Sequence, residues 1–131
     1  MPKGGCHCGA IRYSVDGQRK YGGVCHCETC RRTTGALTTA WNAFPSEGFS
    51  VEGEPKSYSS SEGVVRQFCG ECGTSLFYVN EALMPGVVDI LAATLDDPAE
   101  LAPQVHVNMA DALPWEAALD DLPKFERFPA A

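Results

Sequence analysis

The sequence of 131 residues predicts a mainly β fold, and three observations carry that expectation. Short apolar and β-branched runs recur along the chain, each closed by Gly, Pro, Asn or Asp. Helical periodicity is weak throughout. Seven cysteines fall in closely spaced groups, the pattern of a chain clipped together by metal.

The elements follow in order. IRYSV alternates Ile11, Tyr13 and Val15 against Arg12 and Ser14, a half-buried strand that Asp16-Gly17 closes with turn chemistry and a hairpin-like return. LTTAWNAF sets Leu37, Thr39, Trp41 and Ala43 on one side. FSVEG, KSYSS, VVRQFC, SLFYV, VDILAAT and VHVN read as further short strands. Helical signals are limited to one turn at RRTTGA, a short helix at DDPAEL where Asp precedes a first-turn Pro, and another at PWEAALDDL. The sequence has no internal repeat, linker-like stretch or charge block, so residues 1–131 are expected to form a single domain with a frayed PAA end.

Composition narrows the function classes. The chain is 44% hydrophobic and 21% charged, as ordinary globular proteins are. A formal charge of -7 with only ten scattered Lys and Arg residues argues against nucleic-acid binding and against anionic membrane surfaces. MPKGGCHC carries no apolar leader core, and Pro2 stands where myristoylation needs Gly. The longest apolar run, VVDILAATL, is interrupted by Asp89 and is too short to span a bilayer. A cytoplasmic protein with reduced thiols is the expectation.

An odd number of cysteines leaves one over from any complete disulfide framework, whereas metal ligation has no parity rule. The groups are Cys6-x-Cys8, Cys25-x-Cys27-x-x-Cys30 and Cys69-x-x-Cys72. Thiolate bonds to zinc of about 2.3 Å bring neighbouring ligand sulfurs within roughly 3.8 Å, which C-x-C and C-x-x-C spacings reach at little cost. Seven divides as four plus three. Four thiolates make a closed structural site; three leave one tetrahedral position for water or substrate. Cys25, Cys27 and Cys30 are the natural group of three, and Cys6 and Cys8 then pair with Cys69 and Cys72 across about sixty residues. Arg31 and Arg32 follow Cys30 directly and could stabilise thiolates or bind a substrate carboxylate.

A redox C-x-x-C pair belongs in a βαβ context that this chain lacks. Two structural zinc sites would need His26, His7 or His106 as a fourth ligand, and an extended segment points His26 away from Cys25 and Cys27. Trp41 and Trp115 read first as core residues and His106 as a structural histidine, with a pocket role as the alternative for Trp115 and His106.

GGCHCGAIRY, CHCETCRRTTGA, RQFCGECGTSLF and HVNMADALPWEAALDDLPKFE resemble the glutathione-dependent formaldehyde-activating enzyme family, also described as the CENP-V/GFA domain. The resemblance covers nearly the whole chain, with all seven cysteines in register. It implies an Mss4-like fold of twisted antiparallel sheets stabilised by zinc, with few short helices. It implies a structural zinc on Cys6, Cys8, Cys69 and Cys72, and a second, open zinc on Cys25, Cys27 and Cys30. It also implies a carbon–sulfur lyase, run here as a synthase that adds glutathione to formaldehyde to give S-(hydroxymethyl)glutathione. On this reading Cys25, Cys27 and Cys30 are the catalytic metal ligands, and Arg31, His106 and Trp115 are substrate-binding candidates. The alternative is a non-enzymatic zinc module that binds a protein partner.

Overall fold

The computed structural model describes residues 1–129 and holds two β-sheets, with helix limited to short segments. Ala130 and Ala131, the end of the tail expected to fray, lie outside the described residues. The strands are β1 (Lys3–Gly5), β2 (Arg12–Val15), β3 (Tyr21–Cys25), β4 (Thr39–Pro45), β5 (Phe49–Glu52), β6 (Lys56–Ser61), β7 (Val64–Phe68), β8 (Ser75–Asn80), β9 (Val87–Leu91) and β10 (Val105–Val107). Among the described residues one α-helix, α1 (Glu28–Thr34), follows β3.

β1, β2 and β5 form a small antiparallel sheet, and β10-β3-β4-β9-β8-β7-β6 form a large one. Every pairing in the large sheet is antiparallel except β10 with β3. All eight expected strand runs contain a strand, although in VDILAAT the strand ends at Leu91 and Ala92–Thr94 form a 3-10 turn. The hairpin-like return after Asp16-Gly17 does not form: β2 pairs with β1 and β5, and the chain crosses to the large sheet to begin β3. RRTTGA lies in α1, which Gly35 closes in the left-handed conformation at φ 71°. The DDPAEL and PWEAALDDL helices are 3-10 turns at Pro98–Glu100 and Glu116–Asp121.

The two sheets enclose the core. Tyr13 and Val15 of β2, joined by Phe49 and Val51 of β5, pack on Phe44, Phe77, Val88 and Ile90 of the large sheet. Phe77 meets Tyr13 and Phe49 edge to face at centroid distances of 5.1 and 4.9 Å. Strand alternation then turns the opposite set of residues outward from this core. In register across five strands stand Tyr21, Ala43, Asp89, Tyr78 and Arg66. β9 is therefore buried on both faces, with Val88 and Ile90 in the core and Asp89 on the other side.

Ile90 is 0% exposed at the centre of this packing. Ile90→Ala should lower stability by about 2–5 kcal/mol through lost burial and a residual cavity, measured as a fall in the denaturant midpoint.

Candidate metal centres and active-site cavity

The first and last cysteine pairs sit at the tips of two hairpins from different sheets. Cys6 and Cys8 lie in the β1–β2 loop, and Cys69 and Cys72 in the β7–β8 loop. Each loop closes on a left-handed glycine. Gly9 (φ 85°) donates to the Cys6 carbonyl at 3.3 Å, and Gly73 (φ 81°) donates to the Cys69 carbonyl at 2.9 Å. Backbone amides point at the sulfurs: Ile11 N–H lies 3.2 Å from Cys6 Sγ and Glu71 N–H 3.4 Å from Cys69 Sγ. Cys8 Sγ is 3.6 Å from Cys6 Sγ and 3.7 Å from Cys69 Sγ. The Thr74 hydroxyl and amide hold the Cys72 thiol down to a pKa of about 5. All four sulfurs lie within 4.8 Å of one another and could hold a metal ion.

Cys25, Cys27 and Cys30 form a second group within the same limit. Cys25 ends β3, and Cys27 caps α1, its sulfur accepting the Cys30 amide at 3.2 Å. A thiol here takes the place that Ser or Asp usually fills at a helix start. Hydrogen bonding among Cys25, Cys27 and Cys30, together with the Arg66 guanidinium, draws the Cys30 thiol down to about 4 against the effect of burial. Its hydrogen-bonded neighbour Cys25 is pushed up correspondingly, and burial adds to that rise.

These three sulfurs line one wall of a cavity of about 170 Å³. Trp41 and Tyr78 line another part, their rings 5.8 Å apart. Gly23 also lines it, and the position a side chain would take there is closed off by Val105 of β10, whose Cγ2 lies 3.3 Å from where a Cβ would stand. Arg66, 9% exposed, holds both terminal nitrogens 3.6 Å from Cys30 Sγ and lies over the Tyr78 ring at 4.9 Å. Asn108, the non-glycine residue with positive φ among the described residues (φ 57°), donates from Nδ2 to Cys25 Sγ at 3.2 Å. Asp89 faces the same space, 3% exposed, and accepts from the Tyr21 hydroxyl at 3.2 Å. Burial pushes its carboxyl up to about 6, against the pull of the Tyr21 hydrogen bond.

The remaining candidates stand apart from the cavity lining. Arg31 donates from Nη1 to the backbone carbonyls of His26 (3.0 Å) and Asp111 (2.6 Å). His26 donates from Nδ1 to Glu116 Oε2 at 2.6 Å, and its Nε2 lies 3.0 Å from His106 Nδ1. These contacts strap residues 106–116 across the Cys25–Arg31 segment, with Asn108 at their centre. Trp115 is 55% exposed and outside the lining. His7 lies outside both thiol groups; its amide donates to Thr74 Oγ1.

Sequence reasoning missed Arg66, Asn108, Asp89, Tyr21 and Tyr78 as site residues and read Trp41 as core, whereas all six line the cavity. Two of them leave a trace, a charge inside an otherwise strand-like run: Arg66 in VVRQFC and Asp89 in VVDILAATL.

A mainly β fold with four thiols tying two hairpins and three thiols facing a cavity defines a class of protein built around two metal-competent cysteine groups. The chain belongs to the glutathione-dependent formaldehyde-activating enzyme family, whose model matches residues 1–111. It is 27% identical over 123 residues to a putative glutathione-dependent formaldehyde-activating enzyme of Halomonas elongata, covering 86% of this chain and 78% of that one. It is 32% identical over 80 residues to an uncharacterized lyase of Schizosaccharomyces pombe, covering 60% of this chain and 58% of that one. Its fold matches the crystal structure of a Rhodobacter sphaeroides protein at TM-score 0.65 and 24% identity, over 80% of this chain and 99% of that one.

A raised Asp89 pKa costs the folded protein stability as pH rises from the unfolded value near 3.8 through about 6, because the fold favours the neutral acid. Asp89→Asn removes that term. The stability of the variant minus that of the parent should grow by about 3 kcal/mol at most between pH 4 and pH 7, read from urea unfolding across that range.

Proposed function

We propose that this chain is a zinc-dependent carbon–sulfur lyase and synthase that adds a glutathione-like thiol to a small aldehyde, formaldehyde being the family's type substrate. The observation that carries the reading is the wall of three converging sulfurs on a small, partly apolar cavity in a chain of this family.

The donor set fits zinc. Sulfur separations of 3.6 and 3.7 Å in the four-thiol group match the roughly 3.8 Å between ligand sulfurs of a tetrahedral thiolate site. Soft thiolates select such an ion over Mg²⁺ or Ca²⁺. Cys6, Cys8, Cys69 and Cys72 would hold a structural zinc, and Cys25, Cys27 and Cys30 a second one with a position to spare. Bound there, zinc supplies Lewis acidity that makes a thiolate available at neutral pH or polarises an aldehyde oxygen.

The chain's own residues do the rest. Arg66 and Asn108 place a cation and an amide donor on two of the three sulfurs, and so favour their charged form. Trp41 and Tyr78 line the cavity with aromatic side chains that limit the water around the reacting atoms. The thiolate lone pair forms the C–S bond to the aldehyde carbon while the carbonyl π pair moves onto oxygen. The cavity suits a small aldehyde and the sulfur end of a thiol. Trp41 and Arg66 also border a groove of about 600 Å³ beside α1, where Arg32, Ser57 and Gln67 offer polar contacts for the body of a larger thiol. Arg31 acts on this reading as a strut for the 106–116 strap, and His106 joins it there.

The test is two-dimensional exchange NMR on glutathione and formaldehyde at equilibrium with metal-loaded protein. Faster exchange between free thiol and hydroxymethyl adduct is expected, and Cys27→Ser should abolish the acceleration while halving a zinc content of two per chain. Cys69→Ser should instead fail to fold, since binding energy at the four-thiol site is folding energy. An unaccelerated exchange with zinc present on the same sample would overturn the reading.

A further inference from the structure

Asp89 has no part in the chemistry described so far, and among the described residues it forms no ion pair. A carboxylate in the middle of a central strand normally pays its desolvation through an ion pair or several backbone amides. Asp89 has neither. The hydrogen bond it accepts comes from the Tyr21 hydroxyl, and among the described residues no Lys, Arg or His nitrogen lies within ion-pairing distance of it. The cation that shares its cavity, Arg66, is turned to Cys30, Thr33, Ser60 and the Tyr78 ring.

The placement is specific. Asp89 stands in the cross-strand row between Ala43 and Tyr78. Ala43 is the small member of that row, with Tyr21 on its far side. Tyr21 is 37% exposed and lines the cavity, so its hydroxyl links the buried carboxyl to the outer part of that space. The carboxyl and the three sulfurs line the same 170 Å³.

We propose that Asp89 is the general acid–base of this site, carrying a proton between the incoming thiol and the aldehyde oxygen, with Tyr21 as its hydrogen-bonding partner. This rests on the lyase and synthase reading above. In the synthetic direction the Asp89 carboxylate takes the S–H proton of the thiol. The sulfur lone pair then forms the C–S bond, the carbonyl π pair moves to oxygen, and that oxygen takes the proton from the Asp89 carboxylic acid. The carboxylate is regenerated, and thiol plus aldehyde has become the hydroxymethyl thioether with no other reactant. In the reverse direction the carboxylate takes the hydroxyl proton, the C–S bond breaks towards sulfur, and the departing thiolate is protonated. Burial, which brings the carboxyl to about 6, leaves both of its forms accessible near neutrality, as this shuttle needs. The titratable and charged groups that face it across the cavity are Tyr21 and Cys25 from β3, Cys27 and Cys30 at α1, Arg66 from β7 and Tyr78 from β8.

The same exchange experiment tests this, run on zinc-loaded parent, Asp89→Asn, Tyr21→Phe and Cys27→Ser with buffer rates subtracted. Asp89→Asn should retain two zinc ions and a folded spectrum, yet lose on the order of 100-fold or more of the acceleration. The parent rate should rise with pH along a limb that burial places above the usual carboxylate range, because both directions start from the carboxylate, and Asp89→Asn should lack that limb. Tyr21→Phe withdraws a donor from the carboxylate, so it should move the limb to higher pH. An Asp89→Asn rate equal to the parent's, with Cys27→Ser inactive, would overturn this proposal and leave the lyase reading standing. No acceleration by the parent would overturn both. Should Asp89→Asn not fold, the Tyr21→Phe profile decides: a limb that stays in place overturns the proposal.

Discussion

Sulfurs gathered at contact distance cannot all carry charge unless something cationic or proton-like sits among them, and the molecule is organised around that constraint. Each thiol group is reached by backbone amides, a hydroxyl, a guanidinium or an amide side chain placed by a different element. The four-thiol group meets the constraint at the surface and joins two hairpins that belong to separate sheets. The three-thiol group meets it with Cys25 and Cys30 buried and Cys27 partly so, on the side of the large sheet turned away from the core.

That sheet therefore does two jobs by alternation alone. One set of residues on β4, β8 and β9 packs on the small sheet, and the set between them floors the cavity. A one-residue slip of β9 would place Asp89 in the apolar core and Ile90 in the cavity, so the burial of Phe44, Val88 and Ile90 also fixes where the polar groups of the site stand. Core packing and site geometry are set by the same register.

Much of this was legible in the sequence, because strands with a clear period of two and cysteines with short spacings are local signals. The strands that were missed, β1 (KGG) and β3 (YGGVC), are glycine-rich and owe their conformation to partners: Tyr13 covers Gly4, and β10 covers Gly23. The division of the thiols into four and three was readable because Cys25, Cys27 and Cys30 are adjacent in sequence, which leaves the two outer pairs to each other. The polar lining was not. Arg66 and Asp89 register in sequence only as charges in apolar runs, and Asn108 reads only as the residue closing a strand run, since its contact with Cys25 spans 83 positions. Arg31 stood next to Cys30 in sequence, but a helical step turns its side chain from the sulfurs to the carbonyls of His26 and Asp111.

The strap of residues 106–116 has a consequence for how the molecule comes into being. Asn108 reaches back 83 positions to Cys25, and Glu116 reaches back 90 to His26. A ribosome making this chain exposes the whole CHCETC stretch well before it delivers the residues that cover it. For that interval the thiols stand in the open without Asn108 beside them, and their cover arrives only after more than eighty further residues have emerged.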